Sequence, residues 1–263
     1  MKGRVLIVAG SDSGGGAGIQ ADIKTVAALG GYAATAITAL TAQNTLGVFG
    51  VLPIPAAFVV QQIQVVLDDL GADAIKTGML HDAGVIDAVA TALDAAVRTI
   101  PLVVDPVMIA KGGAALLDAT ALDSLRRLLP RAALLTPNIP EAEALLDRGI
   151  VGVDAMVTAA KDLLATGARA VLLKGGHGEG AIVTDILVSG DSVDHFAAAR
   201  IDSRHTHGTG CTLASAIATG LAQGMPLKPA VARARAYVLE AIRTAPGFGA
   251  GHGPLNHGHD RIR

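Results

Sequence analysis

Val5-Leu6-Ile7-Val8-Ala9-Gly10-Ser11-Asp12-Ser13-Gly14-Gly15-Gly16-Ala17-Gly18-Ile19 passes without interruption from an apolar run of strand length, through a glycine-rich loop, into a segment of helical period. Ile19–Leu29 continues that period and stops at Gly30, where a left-handed cap is wanted. One strand-loop-helix unit thus stands at the start of the chain. Outward from it the same alternation repeats almost to the end, the pattern of βα units on a mainly parallel sheet. Ala34–Leu40, Ala74–Lys76, Pro101–Val104, Ala133–Leu135 and Ala170–Leu173 read as further strands. Pro55–Leu70, Asp82–Val97, Thr120–Leu129, Glu141–Asp147 and Asp154–Thr166 read as the helices between them. Ala181–Val188 with the turn Ser189-Gly190-Asp191 predicts an added antiparallel hairpin. Two helices, Thr209–Gln223 and Pro229–Arg243, then precede a Gly- and His-rich tail from Pro246, read as flexible or substrate-covering.

The fold class is therefore α/β, and 263 residues without a linker or internal repeat predict a single domain over 1–263. Aromatics supply only 2% of residues, so Ala, Val, Leu and Ile must fill the core. A formal net charge of −2 without a Lys/Arg block argues against a nucleic-acid partner. Thr25 to Leu67 holds no Asp, Glu, Lys, Arg or His over roughly forty residues, but Gln43, Asn44, Pro53, Pro55 and Gln61 to Gln64 cut it into pieces unsuited to a membrane span. The lone Cys211 makes no internal disulfide, and Met1 to Ala9 shows no separate leader; both fit a cytoplasmic protein.

Ligands of such sheets sit beyond the carboxyl ends of the strands, so the loops there hold the chemistry. Gly10 to Gly18 lets a ligand approach the backbone at a helix start, yet it is no Walker A loop, because no Gly-Lys-Ser/Thr follows. Gln43, in Thr41-Ala42-Gln43-Asn44-Thr45, offers an acceptor beside a donor, matching the ring nitrogen and exocyclic amine of an aminopyrimidine; a turn-forming Gln-Asn pair is the equal alternative. Asp105, Asn138 and Glu141 put oxygens at two successive strand exits, as Mg²⁺ with nucleotide phosphates needs, although Asn138 before Pro140-Glu141 also suits a helix cap. Lys174, followed by Gly175-Gly176, is a point charge suited to a polyphosphate. His207-Gly208-Thr209-Gly210-Cys211-Thr212 opens an apolar helix, where unpaired amides and the helix dipole favour a phosphoryl group and the Cys211 thiolate. His252, His257 and His259 lack partner ligands at zinc spacing.

In order, these segments resemble the hydroxymethylpyrimidine/phosphomethylpyrimidine kinases of thiamine biosynthesis, a ribokinase-like branch close to pyridoxal kinases. The resemblance rests on Ala9-Gly10-Ser11-Asp12 with Gly14 to Gly18 and Ile19-Gln20-Ala21-Asp22, Ala39 to Asn44, Lys76-Thr77-Gly78-Met79-Leu80 and Asp105-Pro106-Val107-Met108. It continues through Thr136-Pro137-Asn138, Lys174-Gly175-Gly176-His177, Thr206 to Thr212 and Gly251-His252-Gly253-Pro254. It implies a three-layer α/β/α ribokinase-like fold with a mainly parallel central sheet, a homodimer, ATP and Mg²⁺. The implied reaction is phosphorylation of the pyrimidine alcohol and then of its monophosphate. Gly10, Asp22, Gln43, Met79 and Val107 would bind the pyrimidine; Lys174, Thr209 and His207 the nucleotide; Asp105, Asn138 and Glu141 the metal. Gly208, Thr209, Gly210 and Cys211 would form the anion hole with Lys174 beside it, and Cys211 stands where the wider superfamily has its catalytic Asp. His205 departs from the Asn common there. A pyridoxal kinase, or a binder that has lost transfer, is the competing expectation.

Overall fold

The computed structural model describes residues 1–108, 121–178 and 180–259. The opening unit folds as β1 (Arg4–Asp12) and α1 (Gly18–Ala28). Then come β2 (Tyr32–Asn44), β3 (Gly47–Pro53), α2 (Ala56–Asp69), β4 (Ala74–Thr77), α3 (Ala83–Leu93) and β5 (Leu102–Val104). Beyond them lie α4 (Ala121–Leu128), β6 (Leu134–Leu135), α5 (Ile139–Leu146), α6 (Val153–Ala165) and β7 (Ala170–Leu173). The hairpin β8 (Ile182–Ser189) and β9 (Ser192–Ala199) and the helices α7 (Thr209–Ala222) and α8 (Leu227–Arg243) complete the order.

Among the described residues nine strands form one sheet in the order β3-β2-β1-β4-β5-β6-β7-β8-β9. The six from β2 to β7 run parallel, while β3, β8 and β9 are antiparallel additions at the two edges. Period-two alternation assigns each side chain of β1 to a layer. Leu6 and Val8 pack with α2 to α6; Val5, Ile7 and Ala9 pack with α1, α7 and α8. The expected three-layer arrangement follows. Buried Ala214, Ala216 and Ala218 let α7 lie close on the sheet, and small side chains thereby do the work that aromatics do elsewhere.

The structure departs from expectation in three places. β3 goes unpredicted because Gly47, Gly50 and Pro53 read as breakers, yet an edge strand tolerates them where one side pairs with nothing. The helix expected over Asp82–Val97 stops at Leu93, with Asp82 outside it as the N-cap, its Oδ1 accepting from Val85 N at 2.9 Å; a 3-10 turn follows at Ala96–Arg98. Thr120, expected to start a helix, lies outside the described residues. The tail is packed rather than flexible up to His259: His252 N donates to Thr45 O at 2.9 Å, Asn256 N to Ala241 O at 3.0 Å, and Tyr237 Oη to His257 O at 2.6 Å.

β1 has β2 on one side and β4 on the other, so the chain reverses its winding at the carboxyl end of β1. A crevice opens there by topology alone. Asp12, Met79, Asp105, Asn138 and Lys174 all stand at that end of the sheet, each at or just after a strand.

Candidate active site

Asp105 follows β5 and is buried; its Oδ1 accepts from Thr136 Oγ1 at 3.1 Å and from Lys174 Nζ at 3.0 Å. Its Oδ2 is buried with no hydrogen-bond partner among the described residues, which is costly unless a cation or donor meets it. Burial alone would lower Lys174, but Asp105 and then Glu141 outweigh it and raise the ammonium above its ordinary range. Glu141 Oε2 stands 3.9 Å from Lys174 Nζ, and burial pushes this carboxyl up to about 7 against the pull of Lys174.

Asn138 and Glu141 form a capping box at the start of α5: Asn138 Oδ1 accepts from Glu141 N at 2.9 Å and Glu141 Oε2 from Asn138 N at 2.8 Å. The capping alternative is therefore realised, and two of the three side chains expected at the metal are engaged by backbone. Among the described residues no group of three or more His, Cys, Asp or Glu is placed to hold a metal. The orphaned Asp105 Oδ2 nonetheless fits Mg²⁺, which keeps several waters and commonly takes only one or two carboxylates besides phosphate.

Facing this pair is the tip of α7. A Cβ at Gly210 would lie 3.3 Å from Lys174 Nζ and 3.6 Å from Asp105 Oδ2, so the first turn sits directly against the charged pair. Gly208 precedes the helix at φ +84, and a Cβ there would come within 1.8 Å of Gly16 O; only glycine lets the loop after β1 and the helix tip touch. Thr212 N bonds Gly208 O at 2.9 Å and Thr209 N reaches Thr206 O at 3.4 Å. No protein acceptor takes the amides of Gly210 and Cys211 among the described residues, which leaves them for an anion.

The thiol of Cys211 does not behave as the helix-dipole argument predicts. Burial pushes it up to about 12, and the nearby carboxylates of Asp22 and Asp105 add to the rise while Lys76 only partly offsets it. The residue as a whole keeps some exposure, but the burial of its sulfur decides the direction. The resting group is a thiol.

On the other side of the crevice Asp12 organises the glycine loop. Its Oδ1 accepts from Gly14 N at 2.8 Å, and its Oδ2 from Gly16 N at 3.0 Å and Ala17 N at 2.8 Å; His207 Nε2 stands 2.9 Å from the same Oδ2. Burial would raise this carboxyl, but the His207 hydrogen bond and the loop amides hold it below its ordinary range. His207 Nε2 also lies 3.2 Å from Gln43 Nε2, while Gln43 Oε1 lies 3.3 Å from Thr41 Oγ1. His207 thus groups with Gln43 and Asp12 rather than with Lys174. Met79 joins this side, its Cε 2.2 Å from where a Cβ at Gly10 would be. Partly buried Val107 follows Asp105, to whose carbonyl its amide donates at 2.8 Å.

Asp22 does not line the crevice. It is fully buried with Lys76, whose Nζ donates at 2.9 and 3.1 Å to its two oxygens, and Ser215 Oγ donates to Oδ1 at 2.6 Å. Burial alone would lower Lys76, but Asp22 and Asp105 hold the ammonium form above its ordinary range. Lysine in the otherwise apolar Ala74-Ile75-Lys76 was the available signal, since a charge in a buried strand demands a partner. Asp12 also went unassigned, although an aspartate before a run of glycines is an amide acceptor in waiting. Asp185 had no sequence signal: it accepts from Gly175 N at 2.7 Å and from Arg235 Nε at 2.7 Å, anchoring the loop after Lys174 from β8 and α8.

A family model described as phosphomethylpyrimidine kinase matches residues 12–256. The chain is 55% identical over 257 residues to the thiamine biosynthesis bifunctional protein ThiED of Geobacter sulfurreducens, covering 97% of this chain and 52% of that protein, so it spans about half that relative's length. It is 47% identical over 256 residues to the hydroxymethylpyrimidine/phosphomethylpyrimidine kinase of Bacillus subtilis, covering 97% of this chain and 94% of that one. Among solved structures, the ADP complex of Bacillus subtilis pyridoxal kinase superposes with a TM-score of 0.91 at 33% identity, over the whole of both chains.

Proposed function

The chain belongs to the phosphomethylpyrimidine kinase family, and from that premise we propose that it transfers the terminal phosphoryl group of ATP to hydroxymethylpyrimidine and then to the monophosphate so formed. The observation that carries this reading is the seating of the α7 tip on the Asp105–Lys174 pair, where Gly210 faces both charges and a buried carboxylate oxygen lacks a partner among the described residues. Phosphoryl transfer asks chiefly for positioning and charge stabilisation, and this arrangement supplies both. The Gly210 and Cys211 amides bind the migrating group, aided by the dipole of α7. Lys174, held charged by Asp105 and Glu141, balances the nucleotide phosphates. Mg²⁺, when bound, would be held by Asp105 with Glu141 near it and would neutralise phosphate charge. Since Cys211 rests as a thiol, the substrate hydroxyl keeps its proton until late in transfer, as a loose transition state allows.

Gln43, Met79 and Gly10 form the pyrimidine side of the crevice, with Val107 beyond β5. The second reading, a pyridoxal kinase or an enzyme of both specificities, is favoured by the 33% identity and full-length likeness to the Bacillus subtilis pyridoxal kinase. Mass analysis of products from hydroxymethylpyrimidine, its phosphate and pyridoxal, with kcat/KM for each, decides between them: a clear preference for pyridoxal overturns the substrate assignment, and no turnover of any alcohol overturns the kinase.

The whole chain acts as one domain in this reading, in the cytoplasm. No helix among the described residues is long and apolar enough to cross a membrane. A homodimer is supported by the edge strand β3 and the turn before it, where Phe49 and Leu46 are 71% and 66% exposed beside exposed Leu52. Sedimentation of the full chain giving only monomer mass at micromolar concentration would remove the dimer.

A further inference from the structure

The contacts around His207 cannot all be satisfied at once as they stand, and the way they conflict fixes the orientation of the Gln43 amide. Asp12 Oδ2 is an ionised acceptor, already taking the amides of Gly16 and Ala17, so His207 Nε2 at 2.9 Å from it must carry a proton. That holds for the neutral Nε2–H tautomer and for the imidazolium alike. A protonated Nε2 cannot also accept from the Gln43 nitrogen 3.2 Å away. The opposite end of the amide conflicts in the same way: the single hydrogen of Thr41 Oγ1 goes to Ser11 O at 2.9 Å, which leaves Thr41 facing Gln43 Oε1 at 3.3 Å with lone pairs only. Turning the carboxamide by half a turn removes both conflicts. Its oxygen then takes the longer branch of a shared Nε2–H bond whose main acceptor is Asp12 Oδ2, and its nitrogen donates to a Thr41 lone pair. The two ends of a carboxamide are nearly the same size, so hydrogen bonding, and not shape, settles which is which.

We infer that His207, held by Asp12, is the positioning residue that locks the Gln43 amide with its carbonyl on the His207 side and its NH₂ on the Thr41 side, and so sets the order of acceptor and donor shown to the ring. Gln43 is only partly buried, which leaves the outer lone pair and outer N–H for a ligand. A ring that docks there must bring its amine to the His207 side and its ring nitrogen to the Thr41 side. Reversing the amide would set donor against donor, and a buried mismatch of that kind is where strong discrimination comes from. The inference rests on the pyrimidine reading above only for the identity of the ring; the orientation of the amide follows from the protein alone.

Two measurements separate those claims. Nitrogen-15 NMR of the full chain, with His207 assigned by comparison with His207→Gln, reports which ring nitrogen carries the proton without any turnover. Protonated Nε2 is expected, and Nε2 bare at neutral pH overturns the inference whatever the substrate proves to be. Steady-state kinetics then read the consequence. His207→Leu is expected to raise KM for hydroxymethylpyrimidine on the order of tenfold and leave KM for ATP within about twofold, while His207→Gln, which restores a donor, recovers most of the loss. Equal changes in both KM values, or no recovery with Gln, would assign His207 a merely structural part.

Discussion

Gly208→Ala tests the contact on which the anion hole depends. The residue sits at φ +84, where an L side chain costs about 1–2 kcal/mol. Its new Cβ would also lie 1.8 Å from Gly16 O, a backbone atom with no rotamer to yield, so the helix tip and the β1 loop must part by about 1 Å. Relief of such an overlap costs a further 1–3 kcal/mol or so, giving a total near 3 kcal/mol and a Tm lower by roughly 6–12 °C for a chain of this size. The same movement displaces the Gly210 and Cys211 amides from Lys174 and loosens the Gly16 N bond to Asp12. A displacement of about 1 Å at a reacting centre is worth on the order of a hundredfold in rate. Thermal unfolding followed by circular dichroism, and kcat measured at a temperature where the variant is fully folded, check the two effects separately. A variant with unchanged Tm and kcat would refute the close contact and with it the role assigned to the α7 tip.

Four further outcomes are expected. Asp105→Asn keeps the Thr136 contact and the fold but removes the charge behind Oδ2, so kcat falls by about a hundredfold and the Mg²⁺ concentration for half-maximal rate rises; an unchanged Mg²⁺ titration would detach Asp105 from the metal. Cys211, with its thiol near 12, reacts with iodoacetamide at pH 7 far more slowly than a free thiol does, and mass spectrometry showing rapid labelling would contradict the neutral resting state. Lys76→Met leaves Asp22 charged and unpaired in the core at a cost of roughly 3–5 kcal/mol, whereas Lys76→Met with Asp22→Leu recovers much of it; equal losses in urea unfolding would deny the pair its energetic coupling. Glu141 has its folded-state pKa raised to about 7, so its protonated form stabilises the fold at low pH and that contribution is lost as pH climbs from about 4.5 to 7. The stability of Glu141→Gln relative to the wild type should therefore rise across that window, and a difference independent of pH would refute the shift.

Much of this molecule is legible in its primary structure because its rules are local. Strand-length apolar runs, helical period and glycine stops depend on neighbours a few positions away, and they place eight strands, eight helices and the candidate loops to within a few residues, the start of α4 aside. Cys211, Lys174, Asp105 and Gln43 were visible for the same reason, each standing at the end of an apolar run where a loop begins. What the sequence could not decide depends on partners brought from far away in the chain. Asp22 looks like a binding residue until Lys76, 54 positions on, and Ser215, 193 positions on, take both its oxygens in the core. Cys211 looks like a thiolate at a helix tip until the packing of β1, β4 and β5 surrounds it with burial and negative charge. His207 reads as a nucleotide ligand from its neighbours in sequence, and only the fold shows Asp12, 195 positions earlier, holding its ring against Gln43. Backbone conformation answers to short-range sterics and patterning, which a linear string carries; the charge state and aim of a side chain answer to desolvation and to its nearest partners in space, and those exist only once the sheet has assembled.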